Sequence, residues 1–210
     1  MAIGSSRSDL PSLLDELEGR LRAFGAPIVD AFRPGAPAED VRSALAAEGQ
    51  RAHGDAVAWW GWHDGVTIHD APPIETGTGV HLRSENTLVE DWHVLSLADA
   101  VRTHRWVRDD YAQAGAPELF PRSWFPILTT GAFPTLWIDC SVGDDEPAPL
   151  YVDEHLPKPE GPLYRSVADF VAMTIRAFDE GLVREHPEDP RVPIFDAPTL
   201  PDELRRLSYW

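Results

Sequence analysis

Hydrophobic side chains recur with a helical period in four parts of the chain. Gly25 and Gly181 follow two of these segments and indicate where the helices end. Ser96 and Ser166 each stand three residues before an aspartate, a capping-box pattern that predicts a helix start. The helices are therefore predicted over residues 10–24, 37–47, 97–114 and 167–180.

The second half of the chain also contains short runs of aromatic and β-branched residues separated by turn residues. These runs predict strands at residues 92–95, 124–130, 133–140 and 150–152. The last three strands are joined by short loops, which favours an antiparallel meander. The predicted fold class is α+β, with N-terminal helices, a small and mostly antiparallel sheet covered by helices, a closing C-terminal helix and a Pro-rich tail.

The length of 210 residues fits one domain with short additions at both ends. We predict a mobile lead-in over residues 1–9, the folded domain over residues 10–181, and a tail over residues 182–210 that packs on the domain. The domain is long enough, and apolar enough at 43% hydrophobic residues, to bury a sizeable core.

An aromatic segment, Trp59–Gly65, stands out within this pattern because it places three tryptophans in four positions. Each buried tryptophan would remove roughly 150–250 Å² of surface from water. We predict a short helix docked into the core, with Asp55 as its cap and Asp64-Gly65 as the turn by which the chain leaves it.

Charge narrows the possible partners. The chain carries 35 acidic residues against 18 Lys and Arg, a formal net charge of −17. This balance argues against binding to nucleic acids or anionic membranes, which requires a basic surface. It suits a basic protein partner, although a solvated acidic surface that keeps the protein in solution is the commoner reason for such a balance. The sequence has no apolar run of about 18 residues, so we expect a cytoplasmic protein that does not span a membrane.

Two His-Asp pairs are the best candidates for chemistry. His63-Asp64 and His69-Asp70 resemble ligand pairs of metal-dependent hydrolases, which makes such an enzyme an alternative function. The competing interpretation is that Asp64 turns the chain and that His63 is a turn residue whose ring nitrogens have hydrogen-bond partners. Cys140 follows a predicted strand, which favours a buried structural thiol over a nucleophile. We predict no catalytic residues, no metal and no cofactor.

Six short motifs, taken in order, resemble the SMI1/KNR4 (SUKH) superfamily. The resemblance extends over residues 10–181, and no single motif is specific to the family. The motifs are Trp59–Gly65, Leu95–Ala100, Ser123–Ile127, Leu136–Asp139, Pro149–Val152 and Ser166–Val171.

The resemblance implies an α+β fold without enzymatic activity. Many bacterial members of the superfamily are immunity proteins that bind and neutralise toxins, often nucleases, whereas fungal members regulate cell-wall synthesis and signalling. We therefore expect a protein-binding module, either an immunity protein or a regulator without a toxin partner. From charge alone, the predicted partner-binding residues are Glu85, Glu90, Asp91, Asp144, Asp145 and Glu146.

Overall fold

The computed structural model describes residues 9–66, 87–89, 92–130, 134–153, 161–187 and 189–208. Six α-helices lie in these described parts, and all but the four-residue helix at Ile28–Ala31 correspond to helices expected from the sequence. The helices are α1 (Leu10–Phe24), α2 (Ile28–Ala31), α3 (Ala38–Ala47), α4 (Gly54–Trp62), α5 (Leu97–Gln113) and α6 (Val167–Asp179).

Eight strands in the described residues form three antiparallel sheets. The central sheet has the order β3-β4-β5-β6, so the predicted meander is confirmed, and β3 extends it at the edge of β4. The strands are β1 (Phe32–Pro34), β2 (His63–Val66), β3 (His93–Val94), β4 (Trp124–Thr129), β5 (Thr135–Asp139), β6 (Leu150–Asp153), β7 (Val183–Glu185) and β8 (Pro193–Phe195). The predicted α+β fold class is confirmed.

Side chains on the two faces of the central sheet enter two separate hydrophobic clusters. Phe125 and Ile138 point into the main core, which α1, α4 and α6 complete. Trp124 and Trp137, one position away on the same strands, pack with Val107 of α5 in a second cluster. Because successive strand residues face opposite sides, helices cover both faces of this sheet.

Local hydrogen bonds explain where helices α5 and α6 begin. The Ser96 side chain accepts a hydrogen bond from the Asp99 amide at 3.1 Å, and the Ser166 side chain accepts one from the Asp169 amide at 2.9 Å. Both helix starts predicted from the capping pattern are confirmed. Gly25 and Gly181 follow α1 and α6 with positive φ, as the sequence predicted for their ends.

The residues after α6 form the β7–β8 hairpin and two 3₁₀ helices, at Ala197–Thr199 and Asp202–Ser208. The sequence pattern did not predict the hairpin, because Pro193 opens β8 in a proline-rich stretch. Phe195, Leu200 and Leu204 are buried in the main core. No helix in the described ranges is long and apolar enough to cross a lipid bilayer.

Candidate functional site

Helix α4 places the tryptophan segment at the centre of the main core. Trp59 and Trp60 are fully buried, whereas Trp62 is half-buried. The Trp60 indole N–H donates to the Leu95 carbonyl at 3.2 Å, which joins α4 to the connection between β3 and α5. The predicted short, core-packed helix is confirmed.

Two details of the prediction for this segment are wrong. His53, rather than Asp55, caps α4, because its Nδ1 accepts a hydrogen bond from the Asp55 amide at 3.0 Å. Asp64-Gly65 is part of strand β2 rather than an exit turn, and the chain passes from α4 directly into this strand. Strand β2 pairs with β1 in an antiparallel arrangement. The sequence of residues 59–65 alone does not reveal this pairing, because the partner strand lies about 30 positions earlier in the chain.

Gly65 is required by close backbone packing in β2. Its φ is +73°, and a Cβ at this position would lie 2.6 Å from the Ser96 amide nitrogen. A side chain would therefore collide with the start of α5 as well as strain the backbone. This contact brings the neighbouring Asp64 to the N-terminus of α5.

The Asp64 carboxylate stabilises the start of α5 from a distant part of the sequence. One oxygen accepts a hydrogen bond from the Leu97 amide at 2.7 Å, and the other pairs with Arg33 at 3.2 Å. A carboxylate at a helix N-terminus satisfies a free amide and interacts favourably with the helix dipole. Asp64 thus has a structural role that explains its place beside Gly65.

The His63 ring lies between α1 and β1, and both of its nitrogens have partners. Nε2 is 3.0 Å from Glu18, Nδ1 is 3.1 Å from the Arg33 carbonyl oxygen, and the ring stacks on Phe32 at a centroid distance of 4.0 Å. Burial raises the pKa of Glu18, but hydrogen bonds from His63 and Arg22 outweigh it, so the pKa is lowered overall. Both ring nitrogens of His63 thus lie within hydrogen-bond distance of an oxygen, as expected, but both oxygens are acceptors, so a neutral ring donates to only one of them. The residue lies in a strand and not in a turn.

These contacts bear on the alternative of a metal-dependent hydrolase. His63 and Asp64 are successive residues of a strand, and their side chains are engaged with different elements. His69 and Asp70, the other predicted ligands, lie outside the described residues. Within the described ranges, no group of three or more His, Cys, Asp or Glu side chains is placed to hold a metal ion. Among the described residues, the structure therefore brings no metal-ligand set together around His63-Asp64.

Cys140 at the end of β5 is buried, as the sequence predicted. Burial raises the pKa of its thiol to about 12, despite a hydrogen bond from the His53 backbone that acts in the opposite direction. At neutral pH the thiol is therefore almost entirely protonated, and the protonated form is a poor nucleophile.

The predicted partner-binding acids fall into two groups. Glu85, Glu90 and Asp91 lie outside the described residues. Asp144, Asp145 and Glu146 are exposed together on the connection between β5 and β6, which we call the acidic loop (residues 141–149).

Three neighbouring residues hold the acidic loop against the start of α4. His53 Nε2 lies 2.9 Å from the Glu146 carbonyl oxygen, and Asp55 accepts a hydrogen bond from the Ala148 amide at 3.2 Å. Arg51 pairs with Asp144 at 2.9 Å. Because His53 Nδ1 accepts the Asp55 amide, the proton of a neutral ring resides on Nε2 and is donated to the loop. The exposed carboxylates are thus displayed on an anchored backbone.

A groove of about 590 Å³ lies between α3 and α5 and was not predicted from the sequence. Its described walls consist mainly of small side chains, including Ala44 on α3 and Ala98 on α5. Among the described lining residues, the acids are Asp40 and Asp64. Arg105 lies at the end near Glu48 and donates to that carboxylate at 2.7 Å through Nε. The hydrogen bond from Arg105 lowers the pKa of Glu48, against the opposing effect of burial.

The sequence contained a partial signal for the groove. Asp40, Ala44 and Ala47 recur at helical spacing on α3, on a face separate from the buried Val41 and Leu45. An alanine-rich helix face is not distinctive by itself, and only the packing of α3 beside α5 makes it one wall of a groove.

Neither the protein-family models nor the curated proteins gave a match to this chain.

Proposed function

We propose that this chain is a non-enzymatic protein-binding module of the SMI1/KNR4 (SUKH) type, acting in the cytoplasm as an immunity protein that binds and neutralises a basic toxin such as a nuclease. The observation that carries this proposal is the acidic loop, in which Asp144, Asp145 and Glu146 are exposed on a backbone anchored by His53 and Asp55.

Anchoring matters because a loop that is already ordered loses less conformational entropy when it binds. The net charge of −17 adds long-range attraction towards a basic partner and accelerates association. The order of the six resembling motifs supplies the family part of the proposal, and the α+β fold with its antiparallel meander agrees with what that family would require.

The test uses the full chain, immobilised, and a lysate of the cell from which the gene comes. We expect capture of a basic protein whose retention falls steadily as NaCl is raised, because the attraction is between exposed charges. Identification of that protein as the product of a toxin gene adjacent to this one would support the immunity role. Rescue of growth when the two genes are expressed together would complete that evidence.

A matched pair of variants locates the contact. Neutralising the acidic loop (Asp144→Asn, Asp145→Asn, Glu146→Gln) should weaken retention of the captured protein. Neutralising three exposed acids elsewhere (Asp30→Asn, Asp110→Asn, Glu118→Gln) changes the net charge equally and should weaken it less. Absence of a partner, or retention that does not change with salt, would contradict the proposal. Capture of a basic protein without toxin activity would favour a regulator instead.

A further inference from the structure

The groove between α3 and α5 is open to solvent and has the size of a binding site. Its volume of about 590 Å³ lies within the range of roughly 300–1,000 Å³ common for ligand sites. The lining residues along α3 and its N-cap run from Pro37 to Ala47, a distance of about 15 Å along a helix. An extended chain advances about 3.3 Å per residue, so the groove accommodates four to five residues of extended peptide.

The groove walls combine apolar surface with one available carboxylate. Ala44, Ala98 and Val101 provide contacts suited to aliphatic side chains. Asp40 is exposed and forms no ion pair or side-chain hydrogen bond within the described residues, whereas Asp64 is already bound to Leu97 and Arg33.

The positive charge in the groove is already compensated. Arg105 is paired with Glu48, whose side chain is only 4% exposed. Among the described residues that line the groove, the uncompensated charge is that of Asp40, which favours a cationic occupant.

We propose that the α3–α5 groove binds a short extended segment of a protein partner, in which a lysine or arginine pairs with Asp40 and flanking aliphatic side chains contact the alanine walls. The inference rests on the proposed binding function and adds a second, partly apolar contact site to it. The groove would supply selectivity, because a partner needs the right side chains in order as well as positive charge.

The test uses the full chain labelled with ¹³C at alanine methyl groups, since Ala36, Ala44, Ala47 and Ala98 report directly on the groove. The probes are two capped pentapeptides, acetyl-Val-Ala-Arg-Ala-Val-amide and its counterpart with Glu at the centre. We expect the Arg peptide, titrated to millimolar concentration, to shift the groove methyl signals. The Glu peptide should shift them clearly less at the same concentration, because its carboxylate is repelled by Asp40.

Variants of α3 give a matched control. Ala44→Leu places a larger side chain in the groove and should weaken the Arg peptide at least about tenfold by steric exclusion. Ala46→Leu adds the same side chain on the exposed opposite face of the helix and should bind as the wild type does. Asp40→Asn should weaken binding by about two- to fivefold, as expected for an exposed ion pair.

The inference is wrong if both peptides shift the methyl signals equally, if neither does, or if Ala44→Leu and Ala46→Leu bind alike. Its failure is distinguishable from failure of the proposed function. If Ala44→Leu retains the captured partner as well as the wild type does, the groove is not a contact site and the binding function stands. If no salt-sensitive partner is captured by the wild type, the proposed function itself fails.

Discussion

The buried histidine of α5 makes the stability of this protein depend on pH in a specific window. His104 is 1% exposed, and its ring lies 4.3 Å from Phe125 and 5.7 Å from Phe120, measured between centroids. Neither ring nitrogen has a hydrogen-bond partner among the residues that the structure describes. Burial lowers the pKa of His104 from 6.5 to about 4, and the nearby Glu48 carboxylate offsets only part of this effect.

The direction in which stability changes with pH follows from the pH at which each state of the protein takes up a proton at His104. As pH falls below 6.5, the unfolded chain binds a proton at His104, whereas the folded protein binds it only near pH 4. The contribution of neutral His104 is therefore fully present above 6.5 and is lost as pH falls from 6.5 towards 4. Between about pH 7 and pH 5 the free energy of unfolding should fall by about 2 kcal/mol on account of this one residue.

The assay is urea unfolding followed by tryptophan fluorescence at several pH values, with His104→Phe as the control. Phenylalanine fits among the aromatic neighbours and cannot be protonated, and all other titrating groups are common to both proteins. The variant should lose about 2 kcal/mol less than the wild type over the same interval. Glu18 and Glu48 have lowered pKa values, so their contribution is lost only as pH falls below the ordinary carboxyl range near 4.5. Equal pH slopes in wild type and His104→Phe would refute the reasoning.

Four further outcomes are expected from the fold. Trp60→Ala should lower the free energy of unfolding by about 3–5 kcal/mol because the side chain is fully buried, and Trp62→Ala should cost less because Trp62 is half-buried. Equal melting temperatures for the wild type and Trp60→Ala would show that α4 is not central to the core. Asp64→Ala should cost about 1–2 kcal/mol in chemical denaturation, whereas Asp64→Asn keeps an acceptor for the Leu97 amide and should cost clearly less. Gly65→Ala should destabilise by about 1–3 kcal/mol, and a neutral effect in the same assay would show that β2 can move away from Ser96. Cys140 should react with a thiol reagent at neutral pH only after denaturation, and rapid labelling of the native protein would contradict its burial.

Local pattern predicted most of the helices. The apolar period over α1 and the serine–aspartate spacing before α5 and α6 are properties of adjacent residues, and each acts over one or two helical turns. The aromatic runs of β4 and β5 and their short connection likewise predicted antiparallel neighbours.

The errors arose where a residue acts on a distant element. Asp55 was predicted to cap α4, but its carboxylate binds Ala148 and His53 takes the cap, because the acidic loop packs there. Asp64-Gly65 has the composition of a turn, yet pairing with β1 makes it a strand and close packing on Ser96 explains the glycine. The β7–β8 hairpin was hidden by prolines that single-sequence patterns assign to loops.

The sequence by itself determined the acidic charge, the amphipathic helices, the meander and the tryptophan-rich core, because each depends on composition or on short-range periodicity. It also named Asp144, Asp145 and Glu146 as an exposed acidic group. Only the tertiary structure decided that His53 and Asp55 anchor this group, that His63 and Asp64 are engaged in structural contacts, and that α3 and α5 enclose a groove. Each of these features joins residues that are 30 or more positions apart in the sequence. Local sequence pattern is compatible with many such contacts, and only the packing of the whole chain determines which of them form.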